Sequence, residues 1–207
     1  PNLIIDIRGN GGGDSRYWQE FLLPKIIDKN YQTINYSFIK SGEINSKAIK
    51  QGGYSPDTDS FIENCDFDEE TKDILKDFDY YLSYEDYVDA DENTIGFKGN
   101  IYLLVDEKVY SSAEMLASFC KETKLAKLVG TRTGGDGIGF DPLQVDLPKT
   151  GYVLRFSDGL GLTESGSINE LDKTNPDIVV KEDFTTTTKP LKDQEIIKAV
   201  IKDAGID

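Results

Sequence analysis

Histidine is absent from this 207-residue sequence, which therefore lacks the side chain that enzymes use most often as a general base. Cysteine is scarce, and Cys65 and Cys120 provide neither a disulfide framework nor a metal-ligand spacing. We interpret Cys120 as a small buried side chain on an apolar helix. No run of apolar residues is long enough to cross a bilayer, and the chain shows no signal sequence.

Basic residues are also few, with 23 Lys and Arg against 38 Asp and Glu, which gives a net charge of −15. Nucleic acid is excluded as a partner, because binding phosphate backbones depends on Lys and Arg. The length and the 38% of hydrophobic residues suffice for a substantial core, that of one domain or most of one. Because Pro1-Asn2 leads straight into an apolar strand, we expect a fragment of a longer precursor, whose destination the missing signal sequence does not indicate.

Strand-like and helix-like patterns alternate along the chain, which predicts an α/β fold. The predicted helices are 16–27, 69–78, 112–122 and 193–203. The predicted strands are 3–7, 32–39, 101–105, 127–129, 152–156 and 178–180.

Two glycine clusters follow predicted strands, at 9–13 and 133–139. Glycines directly after a strand permit a sharp turn with exposed backbone N–H groups, which suits an anion or an oxyanion. The first cluster lacks the third glycine of a dinucleotide fingerprint and the Lys-Ser/Thr of a P-loop. Between the clusters, Ser111-Ser112 stands at a strand-to-helix turn, where a nucleophile would lie beside free helix N–H groups. The alternative is a capping box formed by Ser111 and Glu114.

In this order the motifs resemble those of the tail-specific, or C-terminal processing, serine proteases and their tricorn-like relatives. The matching segments are IIDIRGNGGG, VYSSAEML, LVGTRTGGDGIG, LPKTG and NPDIVV. The resemblance implies a crotonase-like and Clp-protease-like core of stacked β-β-α units. It also implies proteolysis of extended polypeptide near carboxyl ends, without a cofactor, by a protein located outside the cytoplasm.

Carried over position by position, the resemblance implies that Ser111 is the nucleophile. It implies an oxyanion hole formed by the backbone N–H of Gly13, with Gly12 as the near alternative, and that of Ser112. The Ser-Lys dyad of the processing branch is absent, since Asp136 occupies the lysine position. Asp136 could be a base if buried, but an Asp between glycines favours a turn residue bonded to its own backbone. We expect Asp6 and Arg8 to pair near the first turn.

In the tricorn-like branch the base is a histidine from a segment that precedes this chain, and a glutamate completes the relay. Glu170, shortly before Pro176, matches that glutamate. We therefore expect the N-terminal segment of the same precursor to supply the histidine, and the 207-residue chain alone to be inactive. The alternative is a catalytically inactive peptide- or ligand-binding domain on the same scaffold. The sequence does not indicate an oligomeric state.

The stretch at about 54–94 has no counterpart in the family. From Asp57 to Glu92 it holds fifteen acidic residues against Lys72 and Lys76, with four tyrosines interleaved. We interpret it as an insertion that packs over the core through its aromatics and is solvated by its carboxylates. The alternative is a lid near the serine. Asp89-x-Asp91-x-Asn93 imitates a calcium loop, but Thr94 replaces its glycine and Asn100 its bidentate glutamate, so no metal site is expected.

Overall fold

The computed structural model describes residues 1–182 and 188–206. Its strands are β1 (Asn2–Asp6), β2 (Tyr31–Ile39), β3 (Tyr80–Val88), β4 (Asn100–Val105), β5 (Lys127–Gly130), β6 (Leu143–Asp146), β7 (Val153–Phe156), β8 (Gly159–Leu162) and β9 (Ile178–Val179). Its α-helices are α1 (Ser46–Gln51), α2 (Thr58–Asn64), α3 (Glu69–Leu75), α4 (Ser112–Thr123), α5 (Asn169–Asp172) and α6 (Glu195–Asp203). Short π- and 3-10 segments cover Tyr17–Leu22, Leu23–Lys25 and Leu191–Asp193.

The chain divides into two compact units. Unit one consists of Pro1–Thr33, Asp86–Gly137 and Leu171–Asp207. Unit two consists of Ile34–Glu85 and Ile138–Glu170.

Unit one is built on a parallel sheet with the strand order β1-β4-β5-β9. Strand β4 is buried from Ile101 to Val105 because the sheet is covered on both faces, as is usual for parallel sheets. Alternate residues of a strand point to opposite faces. Leu103 packs with Leu116 and Phe119 of α4, whereas Leu104 packs with Ile197 of α6. The result is a mixed α/β layer structure, as the sequence predicts.

The carboxyl ends of parallel strands lie at one edge of their sheet, which brings the turns that follow them together. In unit one, β1 is followed by the first glycine cluster, β4 by the turn that leads to Ser111, and β5 by the second glycine cluster. The topology therefore gathers all three predicted motifs at the same edge.

Unit two contains most of the sheet β3-β2-β8, in which β2 and β8 are antiparallel, and a separate hairpin of β6 and β7. The core of unit two forms around Phe38 and Leu162, and the acidic stretch supplies Ile62, Phe67 and Leu75 to it. The tyrosines of that stretch lie in β3. Phe67 and the partly buried Tyr81 of the stretch pack in this core, whereas Tyr87 is 63% exposed. That the stretch is an insertion stays a prediction.

The three later predicted helices are confirmed as α3, α4 and α6, with ends shifted by a few residues. The continuous helix predicted at 16–27 is wrong. The chain there forms a π-helical segment followed by a 3-10 segment that begins at Leu23-Pro24, because proline lacks the N–H that an α-helix needs. No helix within 1–182 and 188–206 has the length and apolarity to span a membrane.

Both cysteines are free thiols, and the interpretation of Cys120 is confirmed. It is buried in the core between α4 and the sheet, and burial raises the pKa of its thiol to about 12. Cys120 is therefore a packing residue rather than a reactive group.

Candidate active site

Ser111 occupies the N-cap position of α4 in a strained backbone conformation, with φ 56° and ψ −128°. A non-glycine residue with positive φ outside the usual left-handed helical region costs about 1–3 kcal/mol and persists where the surrounding structure enforces it. Nucleophilic serines at sharp strand-to-helix turns occupy this kind of strained position. Ser111 is half-buried.

The capping-box interpretation is wrong. The Ser111 hydroxyl does not cap α4, and the backbone N–H of Ser111 donates to the carbonyl of Gly135 at 3.2 Å. Glu114 is fully buried, and its Oε1 accepts a hydrogen bond of 2.7 Å from the Thr174 hydroxyl. The spacing of Ser111 and Glu114 fits a cap, but Glu114 is used to bind a distant threonine of the same unit.

The first glycine cluster packs directly on Ser111. A Cβ added to Gly12 would stand 2.7 Å from Ser111 Cβ and 3.1 Å from its Oγ, so only glycine fits there. The N–H of Gly12 already donates to Asn10 Oδ1 at 3.0 Å. Within the described residues, the N–H groups of Gly13 and Ser112 donate to no protein acceptor. This pattern favours Gly13 over Gly12 as an oxyanion donor; the roles of both stay predictions.

The second glycine cluster runs beside the residues that precede α4. Tyr110 and Gly135 form a parallel bridge, and the N–H of Gly134 donates to the carbonyl of Val109 at 2.7 Å. A Cβ on Gly137 would lie 2.5 Å from the backbone N of Met115. The cluster is glycine-rich because its backbone touches the backbone of the serine turn.

Asp136, the residue after Gly135, has a left-handed backbone conformation, with φ 59°. That conformation agrees with the turn interpretation, since Asp tolerates it better than most residues. The expected bond from its side chain to its own backbone is not found among the described residues. Asp136 is half-buried.

Asp6 and Arg8 pair as expected, with 2.7 Å between Arg8 Nη2 and Asp6 Oδ2. The hydrogen bond to Asp6 raises the pKa of the Arg8 guanidinium. Arg8 also donates to Gln194 Oε1 at 3.1 Å, which ties the end of β1 to the segment before α6. The pair is structural and fixes the start of the glycine turn.

Glu170 lies in α5 and is the last residue of unit two, whereas the serine turn and all three oxyanion candidates belong to unit one. Its Oε2 accepts a long hydrogen bond of 3.4 Å from the N–H of Gly161. The structure therefore brings together Ser111, Ser112, Gly12 and Gly13 within one unit. The relay role of Glu170 stays a prediction.

Two residues of the site escaped the sequence analysis. Asn10 binds Gly12 through its side chain and Tyr110 through its carbonyl, and Asp106 accepts a hydrogen bond from Gly9. Asp106 directly follows an apolar strand, and Asn10 interrupts a glycine run. A polar residue in such a position is the sequence feature that could have indicated both.

Solved structures of several peptidases are similar to this chain. Mature CPAF complexed with lactacystin has a TM-score of 0.60 at 21% identity, covering 86% of this chain and 39% of that one. A putative peptidase from Parabacteroides merdae has a TM-score of 0.58 at 18% identity, covering 86% and 44%. The photosystem II D1 C-terminal processing protease has a TM-score of 0.50 at 20% identity, covering 86% and 34%.

The chain thus spans less than half the length of these proteins, and the likeness shows a shared Clp-protease-like fold. No curated protein matches the chain. The model of peptidase family S41 matches residues 1–180, the range that contains both glycine clusters and the serine turn. The family recognised from the motifs is confirmed: the chain belongs to peptidase family S41.

Proposed function

We propose that this chain is the catalytic core of a serine-type peptidase that cleaves extended polypeptide, with Ser111 as the nucleophile. The observation that carries the proposal is the strained N-cap position of Ser111, uncommitted to capping and packed on Gly12. Backbone strain at a residue whose hydroxyl makes no hydrogen bond within the part of the chain that the structure describes is typical of a functional position.

In the proposed reaction, Ser111 Oγ attacks the scissile carbonyl carbon while a base takes its proton. The carbonyl oxygen becomes an oxyanion, which accepts hydrogen bonds from the N–H groups of Gly13 and Ser112. Losing one such donor typically costs about 3 kcal/mol of barrier. The peptide C–N bond then breaks, the amine leaves with the proton, and water hydrolyses the acyl-enzyme.

The base comes from outside this chain. A serine hydroxyl needs a nearby base to become a useful nucleophile, and the 207 residues contain no histidine. We propose that an N-terminal segment of the complete protein supplies a histidine, that Glu170 orients it, and that the protein works outside the cytoplasm near carboxyl ends of its substrates. These assignments follow the family resemblance.

The alternative function is a catalytically inactive peptide- or ligand-binding domain on the same scaffold. Asp136 favours it, because it occupies the position of the lysine that serves as the base in the processing branch. The two functions differ in one observable property, which is Ser111-dependent bond cleavage by the complete protein.

Hydrolysis of an unstructured polypeptide tests the proposal. We expect the complete protein to cleave it, Ser111→Ala to abolish cleavage, and Ser112→Ala to retain cleavage, because Ser112 contributes only its backbone N–H. The 207-residue chain alone is expected to be inactive. Equal turnover by wild type and Ser111→Ala would exclude the proposed nucleophile, and cleavage by the isolated chain would place the base within these residues.

A further inference from the structure

Asp106 is a buried carboxylate directly after β4, and the chemistry above assigns it no role. It is 4% exposed. Its Oδ1 accepts two backbone hydrogen bonds, from Gly9 at 2.9 Å and from Lys108 at 3.1 Å. One oxygen atom therefore joins the first residue of the glycine turn to the turn that leads to Ser111.

The two turns that Asp106 joins carry the proposed nucleophile and one proposed oxyanion donor. Gly9 begins the run that ends at Gly13, and Lys108 is three residues before Ser111. A second link, from the N–H of Tyr110 to the carbonyl of Asn10 at 3.2 Å, runs parallel to the first. Apart from these links, Gly9 and Lys108 are exposed turn residues, so Asp106 restrains groups that solvent would otherwise hydrate.

We infer that Asp106 is a positioning residue that holds the oxyanion turn in register with Ser111. The catalytic consequence of this inference rests on the proposed function. The structural restraint of the two turns by Asp106 does not depend on it. Both bonds are made by Oδ1, whereas Oδ2 is buried and has no hydrogen-bond partner among the described residues. An amide oxygen in place of Oδ1 would accept the same two bonds without the charge. Since a misplacement of about 1 Å can cost roughly 100-fold in rate, a loosened turn should lower kcat more than it changes KM.

Three variants of the complete protein test this inference. Asp106→Ala removes the acceptor, Asp106→Asn keeps an acceptor oxygen without the charge, and Glu107→Gln is the control at the adjacent exposed carboxylate. We expect Asp106→Ala to lower kcat by about 100-fold with KM nearly unchanged. Asp106→Asn should restore most of kcat, and Glu107→Gln should match wild type. An Asn variant as slow as the Ala variant would overturn the positioning role.

Amide hydrogen exchange tests the restraint without using activity. In the wild type, the N–H groups of Gly9 and Lys108 should exchange slowly although both residues are exposed, and Asp106→Ala should accelerate both. Fast exchange in the wild type would overturn the inference even if no Asp106 variant folds. Slow exchange in a protein without Ser111-dependent hydrolysis would leave the restraint established and reject only the proposed function.

Discussion

Gly12 lies against Ser111 so closely that a single methyl group on Gly12 would stand 2.7 Å from Ser111 Cβ. Gly12 also has φ +106°, a conformation that other residues rarely adopt. The glycine therefore serves two purposes, since it permits the turn and leaves room for the serine. Its neighbour Gly11 has open space where a Cβ would be.

We expect Gly12→Ala to reduce peptide hydrolysis by the complete protein at least about 100-fold, since it displaces Ser111 or the oxyanion turn. Gly11→Ala is the matched control and should keep nearly full activity. Steady-state kinetics with circular dichroism of each variant provide the measurement. Equal activities of the two alanine variants would contradict the close packing of Gly12 on Ser111.

Because the backbone is strained at Ser111, we expect a substitution that relieves the strain to stabilise the fold while it abolishes hydrolysis. Glycine adopts positive φ without strain, so Ser111→Gly should raise the free energy of unfolding by about 1 kcal/mol while abolishing hydrolysis. Ser111→Ala should be inactive with a stability close to that of wild type, because no capping hydrogen bond is lost. Urea unfolding measures both. A Gly variant less stable than the Ala variant would show that Ser111 is not strained.

Tyr102 predicts a pH dependence of stability. It is buried, and burial together with its 2.8 Å hydrogen bond to Asp203 raises its pKa to about 12, against about 10 when unfolded. A raised folded pKa stabilises the fold below pH 10, and this contribution is lost as the pH rises towards 12. Tyr102→Phe should therefore cost about 1–2 kcal/mol at pH 8, and this cost should shrink between pH 10 and 12.

Urea unfolding of wild type and Tyr102→Phe at several pH values measures the difference. Tyr152→Phe, at a tyrosine that is 72% exposed, is the control and should show no such change. A cost of Tyr102→Phe that stays constant up to pH 12 would contradict the raised pKa.

Much of unit one could be predicted because its signals are local. The apolar run of β4 and the helical periodicity of α4 each reflect burial on known faces, and the glycine clusters mark turns. The false capping box shows the limit of such signals. A spacing of Ser111 and Glu114 fits a cap equally well whether the glutamate binds the helix start or Thr174, and Thr174 is distant in sequence.

Unit two was harder to predict because its signals depend on tertiary contacts. Strand β8 contains two glycines, which lower strand propensity. A Cβ on Gly161 would lie 1.9 Å from the carbonyl oxygen of Ile138, so the glycine is required by a backbone approach that no local pattern reveals. The sequence did not predict β3, because its four tyrosines stand among the acidic residues of the stretch, with Glu85 and Asp86 inside the strand, which also fits a solvated insertion.

The central claim is that Ser111 is the nucleophile of a peptidase, and covalent labelling tests it most directly. A fluorophosphonate loses fluoride when an activated serine oxygen attacks its phosphorus, and mass spectrometry then locates the adduct. We predict that the complete protein carries one phosphonyl group on Ser111, and that Ser111→Ala is not labelled while Ser112→Ala is. A complete protein that stays unlabelled, or is labelled equally after Ser111→Ala, would contradict the account.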